Sequence, residues 1–204
     1  MRRALRKALR WAAILAVVAA IVAADRLGVF GRRPQNDYAR YHGNNFRVVY
    51  VVDGDTLDVD APDGRRDRTR VRLWGVDTPE TKHPRKPVQH FGPEAEEFAR
   101  RLCDGRRVTL QLVRGRTRGT RGRLLAYVIL TDGTMLNREL VRLGYGYADP
   151  RYEHPYLREF RSLQHEARKA RRGLWENARQ GDLPHYYQET LKLGDGRQDP
   201  GGDG

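Results

Sequence analysis

From Phe46 to Val52 the chain is dominated by β-branched and aromatic residues, and this pattern predicts a strand. Asp53-Gly54-Asp55-Thr56 then breaks it with a hairpin signal, and Leu57 and Val59 resume the alternation. Ala61-Pro62-Asp63-Gly64 makes a second turn. In a third strand, about Thr69 to Val76, Val71 and Leu73 alternate with Arg72 and Trp74. An arginine therefore sits on one face among apolar neighbours. The strand runs into Asp77-Thr78-Pro79-Glu80-Thr81-Lys82-His83, where carboxylates, a hydroxyl and bases arrive as the alternation stops.

The period then changes. Gly92-Pro93-Glu94 opens a helix, with proline at the start and Glu94, Glu96 and Glu97 near the positive end of its dipole. Ala95, Phe98, Ala99 and Leu102 form its apolar stripe, and Asp104-Gly105 stops it. Val108, Leu110 and Leu112 alternate in a fourth strand, and Leu124 to Leu130 is a fifth. Leu136, Leu140 and Leu143 give a short helix ended by Gly144. A last helix, about Leu157 to Arg172, is closed by Gly173-Leu174-Trp175. Five strands with a helix between the third and fourth, and further helices at the end, predict an α+β fold with a mainly β core. The expected form is a five-stranded oligonucleotide-binding-type (OB-fold) barrel with about three packed helices.

Outside this body the pattern differs. Arg2, Arg3, Arg6, Lys7 and Arg10 precede an uninterrupted apolar run from Trp11 to Ala24, ended by Asp25-Arg26. A basic head before such a run fits an export signal, with Val22-Ala23-Ala24 offering small residues for cleavage. The run is short for a membrane span of roughly 20 apolar residues, although Leu27, Val29 and Phe30 could extend it. Residues 1–30 are thus expected to be an export signal or a membrane anchor, and the rest of the chain to be exported. It would be anchored by residues about 8–30 or secreted after cleavage near Ala24. Residues 31–45 read as a linker, 46–176 as the folded domain and 177–204 as a mobile tail.

Charge sharpens this picture. The formal net charge is +13, and the segment from Arg106 to Arg123 holds seven arginines and no acid. Such an excess predicts attraction to a polyanion. Cys103 is the only cysteine, which rules out an intrachain disulfide and a cysteine-cluster zinc site. It reads as a small buried hydrophobe.

Candidate chemistry gathers on the loops. Asp55 and Asp77 are short, hard oxygen donors, suited to calcium together with backbone carbonyls and water. No histidine pair stands at metal spacing, which argues against zinc. Equally, Asp55 could simply cap its turn. Glu80 follows a stiffening proline and could orient or deprotonate water, or merely pair with Lys82 or Arg85. Arg72 and Arg123, on separate strands, could stabilise charge on a phosphodiester, or could be ordinary surface charges. A cation, a water-activating carboxylate and paired arginines together meet the requirements of phosphodiester hydrolysis.

Asp53-Gly54-Asp55-Thr56 and the stretch from Arg72 to His83 resemble the thermonuclease family, the staphylococcal-nuclease-like proteins. Phe91-Gly92-Pro93-Glu94-Ala95, Gly122-Arg123-Leu124-Leu125-Ala126-Tyr127, Asn137-Arg138-Glu139-Leu140-Val141 and Gly173-Leu174-Trp175 follow in family order. The resemblance implies a calcium-dependent nuclease on an OB-type barrel that cuts DNA and RNA with little sequence preference and leaves 3′-phosphate ends. By motif position, Asp55, Asp77 and the Thr78 carbonyl would be calcium ligands. Glu80 would act on the attacking water, as base or as orienting group. Arg72 and Arg123 would bind the phosphate and stabilise its transition state, Arg123 also being placed to assist the leaving oxygen.

The chain departs from the family where Gly119 and Arg121 replace an acidic and an aromatic residue, which puts a contact to the nucleotide in doubt. Lys82, Arg121, Tyr147 and Tyr152 are further candidates for substrate contact, the two tyrosines equally for loop packing. The competing expectations are a non-catalytic nucleic-acid-binding barrel and, as an addition, a basic surface for anionic lipid. The expected partners are DNA and RNA, with a membrane if residues 1–30 are retained, and the expected state is a monomer.

Overall fold

In a computed structural model the structure describes residues 11, 14–20, 36–82, 87–188 and 191. The chain divides into two units, residues 1–40 and 41–204. Within the first, residues 14–20 are helical and expose Ile14, Leu15, Val17 and Val18. Among the described residues no helix is long and apolar enough to cross a membrane. Residues 12–13 and 21–24 of the Trp11–Ala24 run, and all of residues 1–10, lie outside them.

The second unit is built on a closed barrel. Its strands are β1 (Asn45–Asp53), β2 (Thr56–Val59), β3 (Thr69–Leu73), β5 (Arg107–Gln111) and β6 (Leu124–Ile129), ordered β1-β2-β3-β6-β5. A two-stranded sheet pairs β4 (Val76–Asp77) with β7 (Tyr147–Ala148). The pairings β1–β2, β2–β3, β5–β6 and β1–β5 are antiparallel, and β3–β6 is parallel. Parallel strands need a crossover. The Gly92–Cys103 helix and β5 supply it between β3 and β6.

The third strand is shorter than its pattern predicts. Gly75 takes φ +78°, which ends β3 at Leu73 and lets β4 leave at a new angle. A Cβ on Gly75 would also lie 2.4 Å from His154 Cε1, so no larger residue fits there. The barrel core is Val48, Val51, Leu57, Val59, Val71, Leu73, Val108, Leu110, Leu124, Ala126 and Val128, the inward positions of each strand.

The Gly92–Cys103 helix packs on β1, with Ala95, Phe98, Ala99 and Cys103 inward. Burial raises the Cys103 thiol to about 12, which makes it inert in the folded protein. Asn137 opens the Leu136–Arg142 helix fully buried. Its Oδ1 accepts from Val128 N at 2.9 Å and its Nδ2 donates to Trp74 O at 3.0 Å, tying that helix to the end of β3 and to β6. The Leu157–Lys169 helix packs on it in turn.

Both ends of the folded body extend further than the sequence suggests. The stretch 31–45, expected as linker, contains a short helix, Asp37–Tyr41. Tyr41 is fully buried, and its hydroxyl meets Thr69 Oγ1 at 2.9 Å. The tail expected to be mobile from Asn177 is packed as far as Gln188, through a 3-10 turn, Gln180–Asp182, and a short helix, His185–Gln188. Leu183 and Tyr187 join Tyr147, Ala167, Leu174 and Trp175 in one apolar cluster. Residues 192–204 of that tail lie outside the described residues.

Candidate active site

Two turns at one end of the barrel carry the site. The β1–β2 hairpin presents Asp53 and Asp55, and an Asx bond from Asp55 N to Asp53 Oδ1, 3.1 Å, shapes it. The β4 exit presents Asp77, Thr78 and Glu80. Gly54 lets the two turns meet: a Cβ there would lie 2.8 Å from Thr78 Cγ2. Asp55 Oδ2 then accepts from Thr78 N at 2.8 Å, and Asp55 Oδ1 from Thr56 Oγ1 at 2.9 Å. Asp55 is 3% exposed, so its charge depends on these partners.

Arg72 stands between the two carboxylates. It pairs with Thr56 in the β2–β3 register, and its guanidinium reaches the Asp55 turn. Its Nη1 contacts Asp55 Oδ1, and its Nη2 donates to Asp77 Oδ1 at 2.5 Å. Asp55 and Asp77 thus converge on a single cation, here a guanidinium.

Arg123 reaches the same end from just before β6. Its Nη1 donates to Thr56 Oγ1 at 3.3 Å, which links it through Thr56 to Asp55. Burial holds its pKa below the usual arginine value, with Arg72 and Arg121 adding like-charge repulsion against the pull of Asp53 and Asp77. Asp53 shifts oppositely. Burial raises its carboxyl and Glu80 adds to that, while Arg72, a Thr56 hydrogen bond and Arg123 oppose it. These mutual influences bring Asp53, Arg72, Asp77, Glu80 and Arg123 into one electrostatic neighbourhood.

Glu80 is placed by its backbone. Glu80 N donates to Gln89 Oε1 at 2.7 Å, and Gln89 N returns a bond to Glu80 O at 3.0 Å. Its carboxylate accepts from Lys82 N at 2.8 Å. The Lys82 side chain is exposed and lies 3.2 Å from Glu96 rather than on Glu80. His83, Arg85 and the rest of 83–86 lie outside the described residues.

The remaining candidates divide. Arg121 is exposed next to Arg123. Tyr152 is 42% exposed, with the Arg116 guanidinium 4.8 Å from its ring centre. Tyr147 does not face the site: it is 2% exposed, its hydroxyl donates to Asp182 O at 3.4 Å, and its ring meets Trp175 edge-on. For Tyr147 the packing alternative is what the structure shows.

Three residues join the site without having been singled out as candidates. Tyr186 donates to Asp77 Oδ2 at 2.7 Å, and Arg151 Nη2 lies 3.3 Å from the same oxygen. Arg151 is held by Asp149 through two bonds of 2.8 Å. Burial, then the Asp77 charge, raises the Tyr186 phenol far above its ordinary value, so it remains a donor. Asp53 is the third.

The donor set suits a hard cation. Two carboxylates already share a cationic partner, and the Thr78 backbone N–H is bonded to one of them. Among the described residues no three acidic, histidine or cysteine side chains gather at metal-binding distance. A bound ion would therefore complete its shell with backbone carbonyls and water, as a hard cation can.

Comparison with known proteins places this geometry in a family. The family model described as staphylococcal nuclease homologue matches residues 70–177. A thermonuclease of Staphylococcus hyicus is 36% identical over 135 residues, covering 65% of this chain and 76% of that protein. A thermonuclease of Staphylococcus intermedius is 39% identical over 137 residues, 66% of this chain and 77% of that protein. Endonuclease YncB of Bacillus subtilis (strain 168) is 36% identical over 139 residues, 66% of this chain and 63% of that protein.

Proposed function

The chain belongs to the staphylococcal nuclease family, and from that premise we propose that it is a calcium-dependent phosphodiesterase hydrolysing DNA and RNA with little sequence specificity. The observation that carries this reading is Arg72 lodged between Asp55 and Asp77, with Arg123 brought to the same barrel end. A pair of guanidinium groups beside a pair of hard carboxylates suits a phosphodiester together with a metal ion.

Asp55, Asp77 and the Thr78 carbonyl would hold the ion, which would supply positive charge at the phosphate oxygens. Arg72, released by the carboxylates, turns its N–H edge to the phosphate. Burial, then Arg72 and Arg121, disfavour the Arg123 cation, and a phosphate anion would supply it with a counter-charge. Glu80, held at the mouth by Gln89, orients the attacking water or takes its proton. The new P–O bond forms to that water and the bond to the 5′ oxygen breaks, with Arg123 placed to stabilise the leaving oxygen. The products are a 3′-phosphate and a 5′-hydroxyl.

The direct test is digestion of single- and double-stranded DNA and of RNA, with calcium and with a chelator. Cleavage in calcium alone is the expected result. Equal cleavage in both sinks the calcium mechanism, and tight binding in calcium with intact product-free substrate identifies a non-catalytic scaffold.

We also propose export. The exposed apolar residues of 14–20 and the basic residues before them support it. N-terminal sequencing of the protein recovered from outside the cytoplasm should find either a start near Asp25, for a secreted form, or a retained Met1 in the membrane fraction, for an anchored one. Protein confined to the cytoplasm overturns this assignment.

A further inference from the structure

The C-terminal segment does more than cover apolar surface. Between it and the Leu157–Lys169 helix lies an open cleft of about 460 Å³, lined by Pro150, Arg161, Gln164, His165, Arg168 and Leu191, with Tyr186 and Tyr187 in its wall. Arg161, His165 and Arg168 stand at i, i+4 and i+7, so one helix face lines the cleft with cationic and imidazole groups. The opposite wall is aromatic. Tyr186 is common to both places: it borders the cleft, and its hydroxyl is bonded to Asp77 in the active site. Arg151 lies 4.4 Å over the Tyr186 ring and reaches Asp77 as well, so a cation stands beside the ring that the two places share.

We infer that this cleft is a subsite for a single polynucleotide strand, taking nucleotides beyond the two that flank the scissile phosphate. The inference rests on the nuclease reading above. Its chemistry is that of sequence-tolerant strand binding, with cations for the phosphates and rings for the bases. The cleft is of small-ligand size and suits one or two nucleotides, not a duplex. A substrate too short to reach it would lose these contacts without any change at the reacting phosphorus.

The test compares wild type with Arg161→Ala/His165→Ala, both exposed positions outside the catalytic set, and with the milder Arg161→Gln. Substrates are a dinucleotide and an oligothymidine of about twelve nucleotides, within the usual site size of roughly 4–16. For the longer strand, KM should rise on the order of tenfold with kcat unchanged, and kinetics on the dinucleotide should not move. With chelator present, the affinity of the longer strand should fall likewise, and its salt slope should drop by about 0.7 for the lost Arg161 charge. Equal effects on both lengths, or none on the longer strand, overturn the subsite. So does a loss of retention on phosphatidylglycerol vesicles with oligothymidine affinity unchanged, which would assign the cleft to lipid. A wild type that cleaves nothing refutes the nuclease reading instead, and the binding arm still decides the subsite.

Discussion

Glu80→Gln should lower kcat by about 10²- to 10⁴-fold, with KM and the melting temperature close to wild type. The amide keeps the shape of the carboxylate but cannot accept a proton, and it orients water less strongly. Little stability is at stake, because the Glu80 side chain is half-exposed. The loop is held through its backbone instead, by Gln89, and that hydrogen bonding survives the change. The carboxylate's one local bond, from Lys82 N, can be accepted by the amide oxygen. Single-turnover cleavage of single-stranded DNA, run beside a thermal melt, checks both halves. A melting temperature that falls along with the rate would make Glu80 a structural residue.

Arg123→Ala should lower turnover by about 10²- to 10³-fold, the usual cost of removing one fixed donor from a developing oxyanion. The sign of its effect on stability should be the reverse. Arg123 is partly buried next to Arg72 and Arg121, and burial and those two charges disfavour its cationic form more than Asp53 and Asp77 favour it. Its weak bond to Thr56 is small compensation. Truncation should therefore leave the urea midpoint unchanged or raise it, the trade expected where a site holds like charges together for a ligand. Arg123→Lys should not rescue the rate, because an ammonium lacks the planar fork. Unfolding at a lower midpoint, with activity lost in proportion, would contradict the assignment.

Much of the fold can be read along the chain because its signals are local. Val71 and Leu73 alternating with Arg72 mark β3, and the Gly92-Pro93-Glu94 opening and Asp104-Gly105 stop bound the Gly92–Cys103 helix as observed. The five residues Asp55, Arg72, Asp77, Glu80 and Arg123 stand within short motifs, and the structure brings them to one end of the barrel. The β4–β7 sheet has no such signal, since two-residue strands carry no periodicity. Tyr147 looked available because it lies in a tyrosine-rich loop, but packing of the C-terminal segment buries it. The contact of Tyr186 with Asp77 joins residues 109 positions apart, and nothing in either neighbourhood announces it. Low complexity at the extreme C-terminus also concealed an ordered stretch just before it, where Leu183 and Tyr187 are buried.

The closed barrel also fixes when the protein can become competent. β1 can meet β2, and β2 can meet β3, as soon as each hairpin exists. β1 must wait for β5, where Asn45 bonds to Thr109 across 64 residues. Asp77 must wait longer still, for Tyr186. Contacts over such separations carry a large loop-closure entropy and slow folding. A chain still emerging from the ribosome can pair Arg72 with Asp55 across neighbouring strands, but Arg123 joins them only when β6 adds to β3. The full set of charges is then assembled only when the barrel closes.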